Sequence, residues 1–198
     1  MAMATDIAIL AKAPVPGFAK TRLIPAIGAH AAAVLQERLT ERTVATAREA
    51  ALGDVTLWCT PGTTHRSFRD LGVASRAQPD GDLGARMLAA FGARPTLVIG
   101  TDCPALTPAY LRGAAQALAT HDVVLIPAED GGYVLVGARI PHPELFTGMT
   151  WSVSSVLAET RTRIAGLALT SYELPPLWDI DTEADLARME RAFPDLAL

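Results

Sequence analysis

The sequence predicts an α/β fold, built on a mainly parallel sheet with helices on both faces. Two observations predict it. Short runs rich in Val, Ile and Leu alternate along the whole chain with longer segments of helical period, the pattern of repeated strand–helix units. Strands such as TLVIG (96–100) are apolar throughout, without polar alternation, as expected of strands covered on both sides.

The elements follow in order. DIAILA (6–11) reads as the first strand, and AHAAAVLQERLTERTVATAREA (29–50) as a long helix. VTLWCT (55–60) and VASRAQ (73–78) are the next strands. LGARMLAAF (83–91) has Leu83, Met87 and Phe91 at helical spacing, predicting a buried face. After TLVIG, PAYLRGAAQALA (108–119) is a helix whose start is marked by Thr107 and Pro108. DVVLIPA (122–128) and YVLVGA (133–138) flank Asp-Gly-Gly, a strong hairpin signal. SSVLAETRTRI (154–164) is helical, LALTSYEL (167–174) a weaker strand, and TEADLARMERAF (182–193) the last helix. Thr182 caps that helix with Asp185 as an approximate capping box, and Leu186, Met189 and Phe193 share a face.

The 198 residues are read as one domain, 1–198. Half are hydrophobic and the formal charge is −4, which supports a real core and argues against nucleic acid as a partner. The N-terminus lacks the basic and apolar regions of a signal peptide. No apolar run approaches the roughly 20 residues of a membrane span, so a soluble cytoplasmic protein without membrane partners is expected. Cys59 and Cys103 make neither a CxxC pair nor a zinc spacing and are expected to be semi-buried. A homodimer is left open.

In open α/β sheets ligands bind beyond the carboxyl ends of the strands, so the residues following each strand are the place to look for chemistry. AKAPVPGFAKTRLIP (11–25) places Lys12, Lys20 and Arg22 around Gly17 with no acid nearby in sequence. It is either a phosphate cradle of backbone N–H groups and cations or a solvated proline-rich turn. It matches neither a Walker A loop nor a GxGxxG fingerprint.

Asp102 follows TLVIG and has no capping duty, which suits a ligand of Mg²⁺ or Mn²⁺. Asp179 and Asp181 flank the apolar Ile180. On an extended backbone they point the same way, inviting a cation unless they form an exposed turn. In PAEDGGYVLVG the hairpin explains Gly131 and Gly132 but not Glu129, Asp130 and Tyr133, which make either a simple turn or a substrate-contacting loop. Gly81 and Gly84 would let a flat ring approach the backbone. The four histidines are scattered and no GxSxG occurs, so hydrolase readings lack support.

Taken in order, AKAPVPGFAKTRL, GDLGARM, GTDCPALT, PAEDGGYVLVG, LFTGMTWSVSSVL and DIDTEADL resemble the rSAM/selenodomain-associated transferase 1 family, also called arsenosugar-biosynthesis glycosyltransferases. That family lies within the glycosyltransferase A, or nucleotide-diphospho-sugar transferase, superfamily. The KTRL-type loop with a closing DTxxDL is also similar to 2-phospholactate guanylyltransferase and molybdenum-cofactor nucleotidylyltransferases.

The resemblance implies a Rossmann-like glycosyltransferase A fold, a three-layer α/β/α sandwich with a mainly parallel mixed sheet. It implies that Lys12, Lys20 and Arg22, with Gly17 and Thr21 in the same loop, hold nucleotide phosphates, and that Asp82 and Gly84 lie near the base. Asp102 corresponds to the superfamily's metal aspartate, in TDC rather than Asp-x-Asp. That leaves Asp181, then Asp179, as the second ligand of Mg²⁺ or Mn²⁺. Glu129, Asp130, Tyr133 and Trp151 would face the sugar or acceptor, with an EDGGY carboxylate as a candidate base.

The leading expectation is a glycosyltransferase that takes a nucleotide sugar and a small-molecule acceptor. Nucleotidylyl transfer from a nucleoside triphosphate to a phosphorylated acceptor would use the same residues. A non-catalytic nucleotide-binding module is the third reading.

Overall fold

The computed structural model describes residues 4–198; Met1–Met3, part of the leader reading above, lie outside the described residues. Seven strands form one sheet in the order β3-β2-β1-β4-β6-β5-β7. They are β1 (Asp6–Lys12), β2 (Val55–Thr60), β3 (Ala74–Ala77), β4 (Thr96–Ile99), β5 (Val123–Pro127), β6 (Tyr133–Ala138) and β7 (Ser171–Glu173). β1 pairs in parallel with β2 and β4, β2 with β3, and β5 with β7. β6 runs antiparallel to both β4 and β5. All strands but β6 therefore end on one edge of the sheet, and the turn from β5 into β6 opens onto that same edge.

Six helices cover the sheet: α1 (Ile24–Ala50), α2 (Arg66–Asp70), α3 (Leu83–Ala90), α4 (Pro108–Ala117), α5 (Val156–Gly166) and α6 (Glu183–Ala192). On one face Ile7, Ile9, Leu97 and Ile99 pack with Val44 and Ala47 of α1 and Leu111 and Ala114 of α4. On the other face Ala8, Val98 and Val136 meet Met87 of α3 and Leu157 and Ile164 of α5. The result is a three-layer α/β/α sandwich around a mainly parallel mixed sheet. Every residue of β4 is buried, and fully burying each of Leu97 and Ile99 contributes roughly 1.5–3 kcal/mol. A third cluster, with Leu35 and Leu39 of α1 against Leu186 and Met189 of α6, includes Trp178 and Ile180. It fastens the segment carrying Asp179 and Asp181 to the body of the protein.

The capping expectations hold: the Thr107 hydroxyl accepts from Tyr110 N–H at 3.4 Å, and Thr182 with Asp185 forms a full capping box. Elsewhere the structure differs. Leu83 is 41% exposed rather than buried, because Gly84 takes the inward position at the start of α3. β7 covers only part of the segment 167–174; Ala168 is left-handed (φ 53°) and closes α5 instead. The five residues of α2 were not foreseen, being too few to show a helical period. Cys59 and Cys103 are buried and unpaired, not semi-buried. Among the described residues no helix is long and apolar enough to cross a membrane.

Candidate active site

β1 delivers the basic loop to the strand-end edge. The loop is held by Ala13 N–H on the Thr60 carbonyl (2.8 Å) and by Phe18 N–H on the Val15 carbonyl (3.0 Å). Gly17 has φ +85°, a conformation side chains seldom adopt. Lys20 is itself left-handed at φ 48°, an uncommon state for a residue with a Cβ. That bend turns its side chain inward, where it is 5% exposed. Its ammonium meets the Asp102 carboxylate at 2.6 Å and donates to the Ile180 carbonyl at 2.6 Å. Arg22, two residues on, pairs with Asp181. The loop that carries no acid in its own sequence is thus compensated across the fold, by two of the three acids singled out for metal ligation. Lys12, at the end of β1, is exposed.

The opposite side of the site is built by backbone pairing. Residues 177–181 lie across the ends of β4 and β5. Leu177 N–H donates to the Pro127 carbonyl (2.9 Å), Glu129 N–H to the Leu177 carbonyl (3.0 Å) and Ile180 N–H to the Asp102 carbonyl (2.9 Å). With Ile180 fully buried, Asp179 is brought against Asp102 and Asp130. Burial pushes the Asp179 carboxyl up to about 6, and the Asp130 and Asp102 charges add to the shift. Asp181 faces Arg22 instead, so the two aspartates take different partners.

Within the β5–β6 turn, Asp130 accepts from Gly132 N–H at 2.8 Å, and Gly131 has φ +91°. A Cβ on Gly131 would lie 2.2 Å from the Ser154 carbonyl oxygen. The segment before α5 therefore packs directly on the turn, and the Gly131 carbonyl accepts from Leu157 N–H (2.9 Å). Glu129 accepts from Nη1 and Nη2 of Arg188, at 2.7 and 3.0 Å, which holds its carboxyl below the usual range. Arg188 lies 4.3 Å over the Trp178 ring.

Three other sequence candidates occupy different surroundings. Tyr133 packs among buried apolar side chains with its hydroxyl 4.0 Å from Met87 Sδ. Desolvation raises its pKa. Trp151 lies against Gly84, where a Cβ would come within 2.8 Å of the indole and 2.4 Å of the Phe146 carbonyl. The flat ring that Gly84 admits is therefore the protein's own. Asp82 caps α3, accepting from Ala85 N–H at 2.8 Å.

Sequence reasoning missed two supports of the site. Gln36, buried in α1, donates to Thr101 Oγ1 at 2.9 Å, beside Asp102. Arg188 secures Glu129. A polar residue on the inward stripe of α1 was a readable signal for the first; nothing in sequence linked Arg188 to Glu129.

Among the described residues no three Asp, Glu, His or Cys side chains converge tightly enough to hold a metal ion by themselves. Asp102 and Asp179 fit a different mode, that of a hard cation taking one or two carboxylates and completing its shell with substrate phosphates and water. Two carboxylates crowded into a partly desolvated spot are stabilised by such an ion.

The model of a bacterial family, described as "Uncharacterized protein conserved in bacteria (DUF2064)", matches residues 43–153, more than half of the chain. The chain belongs to that family. The matched stretch of this DUF2064 member runs from α1 to the segment before α5 and includes Asp102 and the β5–β6 turn. No curated protein matches in sequence.

Among solved structures, a candidate nucleotide-diphospho-sugar transferase from Desulfovibrio desulfuricans G20 superposes with TM-score 0.88 at 28% identity, covering 96% of this chain and 87% of that one. A nucleotidyl transferase from Methanothermobacter gives TM-score 0.70 at 14% identity, covering 97% and 98%. Glucosyl-3-phosphoglycerate synthase from Mycobacterium tuberculosis, solved with Mn²⁺, uridine diphosphate and glucosyl-3-phosphoglycerate, gives 0.58 at 13%, covering 98% and 78%. These last two likenesses concern the fold alone.

Proposed function

We propose that this DUF2064 protein is a metal-dependent glycosyltransferase that moves a sugar from a nucleotide-diphospho-sugar to a small acceptor. The observation that carries this reading is the meeting of the β1 basic loop with Asp102 at the strand-end edge, through the 2.6 Å Lys20–Asp102 pair. The likeness to the Desulfovibrio protein, by far the strongest in TM-score of the three structures compared, supports the same class. On this reading residues 1–198 act as one domain in the cytoplasm, without nucleic-acid or membrane partners. A sheet that seats β1 between β2 and β4 supports the single domain.

Asp102 and Asp179 would hold Mg²⁺ or Mn²⁺, with Asp181 reserved to orient Arg22. The ion would supply Lewis-acid stabilisation of the diphosphate. Lys12, Lys20 and Arg22, with Gly17 and Thr21 shaping their loop, offset the negative charge that grows on the leaving diphosphate. Asp130, fixed by Gly132 N–H, receives the acceptor's hydroxyl proton. Asp82 and Gly84 set the start of α3 on the nucleotide side. Glu129, Gly131, Gly132, Tyr133 and Trp151 shape the sugar and acceptor side.

A thermal-shift panel of nucleoside diphosphates and nucleotide sugars with Mn²⁺ tests the reading, since a ligand of the folded state raises the melting temperature. One nucleotide should stabilise the wild type only with metal, and Asp102→Asn should abolish that shift. Turnover in Asp102→Asn should fall by about a hundredfold or more. Free nucleoside diphosphate as product supports glycosyl transfer. Pyrophosphate from a nucleoside triphosphate would instead make the enzyme a nucleotidylyltransferase, and full biological function of Asp102→Asn would leave only a binding module.

A further inference from the structure

The sheet topology divides the charge of the site in two. The end of β1 and the loop after it bring Lys12, Lys20 and Arg22. The segments at the β4–β7 half of the edge are 100–107, 128–132, 147–155 and 174–182. Together they carry Asp102, Glu129, Asp130, Asp179 and Asp181, and no lysine, arginine or histidine. Among the described residues, the cations whose side chains bond to these segments from elsewhere are already engaged. Lys20 is on Asp102, Arg22 on Asp181, Arg188 on both oxygens of Glu129, Arg42 on the Pro104 carbonyl and Asp195, and Arg163 on Glu159 and the Thr147 and Gly148 carbonyls. A metal ion at Asp102 and Asp179 would be shared with the donor diphosphate, leaving little positive charge for a second anion.

From this division we infer that the acceptor is an uncharged or cationic hydroxyl compound, carrying no phosphate or carboxylate of its own. The inference rests on the glycosyltransferase reading of the same site and narrows it. An anionic acceptor would have to sit beside Asp130 and Asp179 without a free cation, and like charges brought together select against binding. A neutral sugar, polyol or amino alcohol meets carboxylates that can accept its hydroxyl or ammonium hydrogens. In the transfer, the acceptor oxygen forms a bond to the sugar's anomeric carbon as the carbon–oxygen bond to the diphosphate breaks. The electron pair of that bond leaves with the nucleoside diphosphate, and the hydroxyl proton passes to Asp130.

The test uses matched pairs differing by one phosphate: glycerol with glycerol 3-phosphate, and glucose with glucose 6-phosphate. Binding is read by saturation-transfer NMR on protein loaded with diamagnetic Mg²⁺ and the nucleoside diphosphate that gives the largest thermal shift. In the wild type the neutral member of each pair should give at least about fivefold more transfer than its phosphate. Glu129→Gln, which releases Arg188, should raise transfer to the phosphorylated members by about tenfold. Equal or stronger binding of the phosphates to the wild type overturns the inference, as does a Glu129→Gln variant with unchanged preference or no signal from any probe. If no nucleoside diphosphate binds, the donor reading itself fails, an outcome visible before any acceptor is added.

Discussion

At the residue scale, Asp122 shows how one carboxylate ties two elements together. It stands just before β5 and accepts from the Thr170 hydroxyl at 2.6 Å and from Thr170 N–H at 2.9 Å, fastening the end of the α5–β7 connection. The hydroxyl bond and then the backbone bond hold its carboxyl below the ordinary value of 3.8. The sign follows from proton linkage. A carboxyl depressed in the folded state adds stability above its unfolded pKa and loses it as pH falls through the folded value. Asp122→Asn should therefore lower the melting temperature at pH 7, with the gap to wild type closing as the pH is taken below about 3. A constant gap across that range would show that the hydrogen bonds, and not the charge, carry the effect. Asp179 has the opposite sense, since its carboxyl is raised and its ionisation opposes folding.

At the element scale, the β5–β6 turn decides how the acidic half of the site is assembled. Gly131 combines a positive φ with a neighbour, the Ser154 carbonyl, that a methyl group would meet at 2.2 Å. Gly131→Ala should destabilise the protein by about 1–3 kcal/mol, measured by urea unfolding, and should loosen the start of α5 in hydrogen exchange. Strong propensities and periodicity made most elements legible. The hairpin followed from Asp-Gly-Gly, the start of α6 from Thr182 and Asp185, and the double-sided burial of β4 from an unbroken apolar run. Leu83 was misplaced because a three-to-four-residue period assigns large side chains to the inward face, whereas close packing gave that position to Gly84. The partners of Lys20 and Arg22 lie 82 and 159 residues away in the chain. Local pattern carries no information about such pairs, so the basic loop was legible and its compensation was not.

At the scale of the whole molecule, the sheet order ties the two ends of the chain into one site. β1 supplies the cations, while the segment after β7 supplies Asp179 and Asp181 and packs through Trp178 and Ile180 onto α1. If residues 1–198 act as one domain, thermal unfolding should be a single transition, with calorimetric and van't Hoff enthalpies in agreement. A separate early transition of the C-terminal segment would show that the site is assembled from independent parts. The buried Lys20 ammonium gives this arrangement a further property. It is the counter-ion of Asp102, so a metal held by that carboxylate, as proposed above, would compete with Lys20 for it. A diphosphate offers the displaced ammonium a new anionic partner, and reciprocity then requires that each ligand favour the other by the same factor. Direct Mn²⁺ titration of the nucleotide-free protein should give weak affinity in the wild type and tighter affinity in Lys20→Met, with the enhancement by nucleoside diphosphate reduced in the variant. On the proposed reading the site would then work as an ion exchanger, giving up its own cation as the substrate arrives to receive it.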